Sequence, residues 1–229
     1  MNHPIKFRPN PALPIAESNE TFPVGRIYCV GRNYAEHARE MGHDPEREPP
    51  FFFMKPADAI VPNGATLPFP RATKDLHHEI EMVVAIGKDG ANIPVEKALD
   101  HVFGYGVGLD MTRRDIQGEA KKLGRPWEMG KSFDESAPAT ALRPASEVGH
   151  PAKGAITLKV NGQLKQQGDL AMQIWDVAEQ IAYLSNLITL QPGDLIFSGT
   201  PAGVGPIKPG DKLEGHVDGV GDLTVTYKS

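Results

Sequence analysis

The sequence predicts an α+β fold that is mainly β, with a few short helices. Three observations predict it. Twenty-four glycines and 21 prolines are spread along 229 residues, which suits many short strands and tight turns better than a helical bundle. Short apolar runs such as "RIYCVG", "FFFMK" and "MVVAI" recur between those turn signals. Only one stretch, "QIWDVAEQIAYLSNLITL", carries a long apolar stripe of helical period, through Ile174, Val177, Ala178, Ile181, Leu184 and Ile188. With 40% hydrophobic residues, the chain can bury a real core.

The elements follow in order. Residues 1–25 lack any period and read as an extended leader or a small edge element. Arg26–Gly31 is a strand ending in glycine. Asn33 is placed to cap a helix over "NYAEHAREMG", which Gly42 can end. His43–Pro50 is a charged, proline-rich loop, and Phe51–Pro62 resumes strand. After a connection broken by prolines, His77–Lys88 is a strand whose second half is apolar enough to be buried on both faces. A short helix from Val95 leads into a glycine-rich strand ending near Asp110. Gly104, Gly106 and Gly108 alternate there, but position 109 is leucine, so this is no dinucleotide fingerprint; such spacing lets another backbone approach. "TRRDIQGEAKKLG" is a helix with Thr112 and Asp115 as a box-like cap and Gly124 as its stop. Asn161–Gly162 marks a hairpin, and tight turns alternate with short strands after Gln191. No repeat and no linker of shifted composition interrupts residues 26–229, which are expected to form one catalytic domain.

Composition also excludes. The formal net charge is −5, and the only basic clusters are Arg113–Arg114 and Lys121–Lys122, so nucleic acid is not an expected partner. No apolar run is long enough to span a bilayer and no signal-peptide pattern is present, so no membrane partner is expected either. Cys29 is the sole cysteine, which rules out an intrachain disulfide and suits a reducing compartment such as the cytoplasm.

Candidate chemistry starts with Glu79 and Glu81. On a strand, both carboxylates share a face, roughly 7 Å apart. Like charges so placed repel, and if desolvated one would keep its proton. A wet strand face is the bland explanation. The apolar flanks argue against it, and Asp110 ends a second apolar strand. Three carboxylates at strand ends can hold a hard divalent cation, Mg²⁺, Mn²⁺ or Ca²⁺. His37 and Glu40 share a helix face; they are either a general-base pair for water or a solvated surface contact. Arg114 and Gln117 share another face. Lys131, among apolar neighbours, either meets an anion or snorkels to solvent. Thr200 can donate to a substrate carboxylate or simply precede the turn at Pro201, and Lys55 is a further pocket candidate. Tyr34, Trp127 and Trp175 read as packing residues, His77 as a structural or outer-sphere group, and Cys29 as inert.

"HHEIEMVVAIGK", "YGVGLDMTRRDIQ", "PWEMGKSFDESAP" and "PGDLIFSGTPAGVGPIKPGD", in this order, closely resemble the fumarylacetoacetate hydrolase family in its short form, from Arg26 to the C-terminus. Within it, "VGRNYAEHAREMG" and "REPPFFFMKPADAIV" look most like the fumarylpyruvate hydrolases and acylpyruvases. The resemblance implies a mixed β-sandwich or roll and a homodimer. It implies Glu79, Glu81 and Asp110 as ligands of Mg²⁺ (or Mn²⁺, with Ca²⁺ as a stand-in in crystals). It implies a lid helix carrying the His37–Glu40 dyad, Lys131 facing a developing enolate, and Arg114, Gln117 and Thr200 around a small diketo acid. The implied reaction is hydrolysis of a carbon–carbon bond in a 2,4-diketo acid, fumarylpyruvate giving fumarate and pyruvate in gentisate-type aromatic catabolism. The rivals are other acylpyruvates, oxaloacetate decarboxylation, an isomerase or hydratase of aromatic catabolism and, more remotely, a non-catalytic metal-binding protein.

Overall fold

The computed structural model describes residues 11–40 and 48–229. Its centre is an eight-stranded mixed sheet. Along it lie Phe51–Lys55, Ile27–Gly31, Leu195–Phe197, Ile80–Ile86, Val102–Leu109, Ala137–Ala139 and Ile60–Pro62, with Arg143–Pro144 also paired to Val102–Leu109. Ile27–Gly31 runs parallel to Leu195–Phe197 and Ala137–Ala139 parallel to Ile60–Pro62; the other pairs are antiparallel. A five-stranded sheet orders Gln163–Asp169, Ala155–Val160, Lys212–Val217, Gly221–Tyr227 and Thr66–Leu67, and a three-stranded one orders Thr112–Arg113, Leu76–His78 and Gly205–Ile207. The curled, mainly β architecture is the one expected.

Ile80–Ile86 is buried along its whole length, and its alternation feeds two cores. Ile80, Met82, Val84 and Ile86 join Ile156, Leu158, Leu213 and Val225 of the five-stranded sheet. Val83 and Ala85 point the other way, to Ile27, Cys29, Leu195 and Phe197. Leu13 and Phe22 cover that second core from a small hairpin, Ala12–Pro14 with Thr21–Pro23, so this part of the leader is an edge element. Burying each of those two side chains contributes about 1.5–3 kcal/mol.

Several local expectations hold. Asn161 (φ 51°) and Gly162 (φ 77°) make the hairpin turn with both residues left-handed. Val177–Leu187 is the core helix, closed at its start by an Asp176–Glu179 capping box. Arg114–Lys122 stops at Gly124 (φ 61°), where Arg125 N–H reaches back to the Ala120 carbonyl.

Others are corrected. Phe51–Pro62 is two strands separated by a 3₁₀ turn at Ala57–Ala59, because Pro56 cannot continue the ladder. His77–Lys88 breaks at Glu79, with Leu76–His78 in the three-stranded sheet and Ile80–Ile86 in the large one. The Thr112–Asp115 cap does not form. The Thr112 hydroxyl donates to the Asp110 carbonyl, and Asp115 accepts from Thr73 and Lys74 N–H. Asn33 is no cap either. Its side chain donates to the Trp175 and Ser198 carbonyls and accepts from Trp175 N–H, pinning the start of the Ala35–Glu40 helix to the loops beyond it. The expected stop at Gly42 and most of the His43–Pro50 loop lie outside the described residues.

Candidate active site

The strand register builds the carboxylate cluster. Ile80 pairs with Leu109 and Glu81 with Gly108, and Asp110 N–H donates to the Glu79 carbonyl at 2.9 Å. Glu79 and Asp110 are therefore cross-strand neighbours, and Glu81 lies two residues along the same face. Gly108 must be glycine beneath them, since a Cβ there would lie 2.6 Å from both Phe197 Cε1 and Val83 Cγ2. The three carboxylates are buried and offer oxygens within 4.8 Å of one another.

Cations gather on two of the three. Lys131 Nζ donates at 2.7 Å to Glu79 Oε2 and at 2.7 Å to Asp110 Oδ2. Arg114 Nη2 donates to Glu79 Oε1, and its Nη1 to Gln117 Oε1 at 2.7 Å. Behind Arg114 stands His77. Its Nε2 lies 2.9 Å from Asp75, which places the proton there and leaves Nδ1 to accept from Arg114 Nε at 3.4 Å. The outer-sphere expectation for His77 is thus given a concrete form: it holds a guanidinium that holds Glu79. Burial opposes ionisation of Glu79, but Lys131 and Arg114 outweigh it and keep that carboxyl well below the usual range. Burial likewise opposes the charge on Lys131, and Asp110 and Glu79 override it, so its pKa is raised.

Glu81 is different. Its Oε2 accepts Gly199 N–H at 2.7 Å. Burial first, then Asp110 and Glu79, push its carboxyl well above the ordinary range. A buried carboxylate with like charges beside it and no ion pair among the described residues is the group that a divalent cation would complete. The donor set is all oxygen, and each carboxylate keeps lone pairs beyond those in its present bonds, so the residues fit a hard divalent cation.

His37 and Glu40 sit on the short helix Ala35–Glu40. His37 is buried and lines the cleft, with Nδ1 3.6 Å from Glu40 Oε2. Burial lowers its pKa against the opposing pull of Glu79, so the imidazole is unprotonated at neutral pH and free to accept a proton. Glu40 accepts Gly203 N–H through both oxygens, at 3.0 and 3.1 Å. Gly203 (φ 93°) allows nothing larger, since a Cβ would lie 2.1 Å from the Lys165 carbonyl oxygen. One loop, "SGTPAGVG", therefore anchors both Glu81 and Glu40. Thr200 in that loop also lines the cleft. Its hydroxyl accepts from Gln166 Nε2 at 2.8 Å, which leaves its own hydrogen to donate elsewhere.

One cleft thus brings together His37, Glu79, Glu81, Arg114, Gln117, Lys131 and Thr200. Lys55 is the exception. It is fully buried behind Asp110, with Nζ 2.9 Å from Asp110 Oδ1 and donating to the Met111 and Lys131 carbonyls, and it does not reach the cleft wall. Its place is to orient Asp110 and the Lys131 backbone, because its strand ends against that segment. Trp127 does more than pack: it lines the cleft, edge-on to Phe51. Two charged cleft residues escape sequence reasoning, Arg32 and Lys121. A signal for Lys121 exists, because Arg114, Gln117 and Lys121 stand at i, i+3 and i+7 of one helix face.

Comparisons with known proteins place the chain among relatives of one family. The family model described as fumarylacetoacetate (FAA) hydrolase C-terminal matches residues 26–227. The mitochondrial oxaloacetate tautomerase FAHD1 of Mus musculus is 46% identical over 202 residues, 88% of this chain and 91% of the mouse protein. Oxaloacetate tautomerase YcgM of Escherichia coli is 42% identical over 199 residues, 86% of this chain and 90% of its own. Among solved structures, fumarylpyruvate hydrolase from Pseudomonas aeruginosa in complex with Mn²⁺ and pyruvate superposes with a TM-score of 0.96 at 55% identity, covering 99% of both chains.

Proposed function

We propose, for a chain that belongs to the fumarylacetoacetate hydrolase family, metal-dependent hydrolysis of the carbon–carbon bond of a 2,4-diketo acid, with fumarylpyruvate giving fumarate and pyruvate. The observation that carries the reading is the convergence at one cleft of Glu79 and Glu81, with Asp110 buried directly behind them, and of His37 beside Glu40 and a buried lysine. The 55% identical P. aeruginosa hydrolase, bound to Mn²⁺ and pyruvate, supports the same choice.

Residues 26–229 are the catalytic unit in this reading. Glu79, Glu81 and Asp110 would hold the cation, Mg²⁺ in the cell; when bound it supplies Lewis-acid polarisation of the 2-oxo acid end. Arg114, with Gln117 and Thr200, orients the carboxylate of that end. His37, steadied by Glu40, takes a proton from water, and the resulting hydroxide attacks the distal carbonyl. The bond between that carbonyl and the adjacent methylene breaks, and its electron pair leaves as the pyruvate enolate. Lys131 faces the developing charge. Protonation of the enolate carbon gives pyruvate, and the new carboxylate completes fumarate.

The pH profile follows from His37. A base must be neutral to accept the proton, and burial lowers the pKa of this imidazole. The rate constant kcat/KM should therefore fall as pH drops through a value below the ordinary histidine pKa of about 6.5. That limb should vanish in His37→Ala. An inflection above 6.5 would contradict the assignment.

A second reading, oxaloacetate tautomerisation, is favoured by the mouse and E. coli relatives. It moves a proton at the carbon beside the 2-oxo group and needs no attacking water. A panel of acylpyruvates and oxaloacetate, assayed with Mg²⁺ or Mn²⁺, separates the two. The expected result is preferred turnover of fumarylpyruvate to fumarate and pyruvate. Enol–keto conversion of oxaloacetate with no acylpyruvate cleavage would favour the tautomerase.

We further infer a homodimer in the cytoplasm, where buried Cys29 stays reduced. Among the described residues, no helix is long and apolar enough to cross a membrane.

A further inference from the structure

The buried triad at the base of the cleft is balanced in charge. Glu79, Glu81 and Asp110 are met by Lys55, Arg114 and Lys131, each in contact with Glu79 or Asp110. Arg32 and Lys121 line the same cleft and take no part in that network. Among the described residues, the one ion pair of Arg32 is with Glu48, 3.9 Å away and 71% exposed, a contact of little worth. Lys121 makes none among them.

Each of these cations is laid on an aromatic face instead. The Arg32 guanidinium is 5.3 Å from the Phe51 ring centre, and Lys121 Nζ is 4.8 Å from that of Trp127. The two rings meet edge to face at 5.5 Å, so one aromatic wall carries both cations. The backbone is arranged for this. Arg32 sits at φ 57°, a region a long side chain occupies at a cost. Gly31 before it leaves room for the Phe51 ring, which a Cβ would meet at 2.0 Å. Lys121 is pushed down to about 8, by burial first and then by Arg114, Arg32 and Lys131, which shows that the cations crowd one another. Surplus positive charge, partly desolvated and aimed into a cleft, is stabilised by an anion.

We propose that Arg32 and Lys121 form a second carboxylate site on the Phe51–Trp127 wall, distinct from the triad, and that it selects acyl groups ending in a carboxylate. This deepens the diketo acid reading and rests on it for the orientation of the substrate. The 2-oxo acid end lies toward the triad, and the terminal carboxylate of the acyl arm lies between the guanidinium and the ammonium. An acylpyruvate with a neutral methyl or phenyl terminus brings no anion to either cation and is disfavoured.

The test uses two non-hydrolysable 2-oxo acids of seven carbons, 2-oxoheptanedioate and 2-oxoheptanoate, which differ in a terminal carboxylate against a methyl. Their affinities are measured by calorimetry on the Mn²⁺-loaded protein. The wild type should bind the dicarboxylate tighter by about tenfold or more, the scale of a partly buried charge pair. Arg32→Gln and Lys121→Met should each reduce that preference several-fold, and the double variant should bind the two acids about equally. Equal affinities in the wild type, or an unchanged preference in the double variant, would overturn the proposal. The wild-type comparison stands even if a variant fails to fold. Because these ligands are never cleaved, failure of the protein to hydrolyse any acylpyruvate speaks against the hydrolase reading alone.

Discussion

Glu81→Gln should abolish metal-dependent turnover while leaving the fold in place. Glutamine has the shape of glutamate, and its Oε1 can still accept the Gly199 N–H that Glu81 Oε2 accepts at 2.7 Å. The charge is what disappears. Lys131, Arg114 and Lys55 pair with Glu79 and Asp110, whereas Glu81 has no ion-pair partner among the described residues and is the carboxylate most in need of one. Divalent-cation affinity should fall by about 10²-fold or more, above the scale seen for groups outside the ligand shell. In chelator the effect on stability should have the opposite sign. With its pKa raised, metal-free Glu81 makes folding bear either a buried, repelled charge or the uptake of a proton, and glutamine removes that cost, so the metal-free variant should unfold at a temperature no lower than metal-free wild type. Added Mn²⁺ should raise the melting temperature of the wild type and not of the variant. A variant that keeps wild-type activity after chelation and dialysis would refute the ligand assignment.

His37→Ala should reduce acylpyruvate hydrolysis by about 10²-fold or more, the usual worth of a general base. The informative comparison is with oxaloacetate decarboxylation, where the carbon–carbon bond breaks without an attacking water. That reaction should fall less, because the triad and Lys131 are unchanged. Both are followed as pyruvate at saturating Mg²⁺. If the two reactions fall equally, His37 serves substrate positioning or closure of the Ala35–Glu40 helix rather than activation of water. Lys131→Ala is the poorer probe: it leaves Glu79 and Asp110 without the ammonium they share and perturbs the triad itself.

The carboxylate cluster was legible in part because a strand has a period of two. Glu79 and Glu81 share a face and the apolar run behind them is buried, which left a cation site and a wet strand face as the readings, and the family resemblance chose the first. That Asp110 lies directly across from Glu79 depends on the register of two strands joined by a helix and a turn, which spacing alone suggests but does not fix. Lys55 was misplaced for the same kind of reason. Its contacts to Met111 and Lys131 are set by which strands the large sheet brings near the 111–131 segment, and "FFFMK" carries no record of that. Asn33 looked like a helix cap because asparagine before a helical run usually is one. Tertiary partners at Trp175 and Ser198 took its side chain instead. Lys121 was noted only as half of a basic cluster, although its step from Arg114 and Gln117 put it on the cleft face.

The central claim, that water activated in this cleft adds to the distal carbonyl of a diketo acid, is tested most directly by isotope. Fumarylpyruvate is turned over once by excess Mn²⁺-loaded protein in H₂¹⁸O, and the fumarate is examined by mass spectrometry. The account predicts fumarate and pyruvate in equal amounts, with one ¹⁸O in a fumarate carboxylate beyond that acquired by unreacted substrate, and no fumarate when the metal is chelated. Loss of fumarylpyruvate without fumarate, or fumarate formed equally well in chelator, would contradict it.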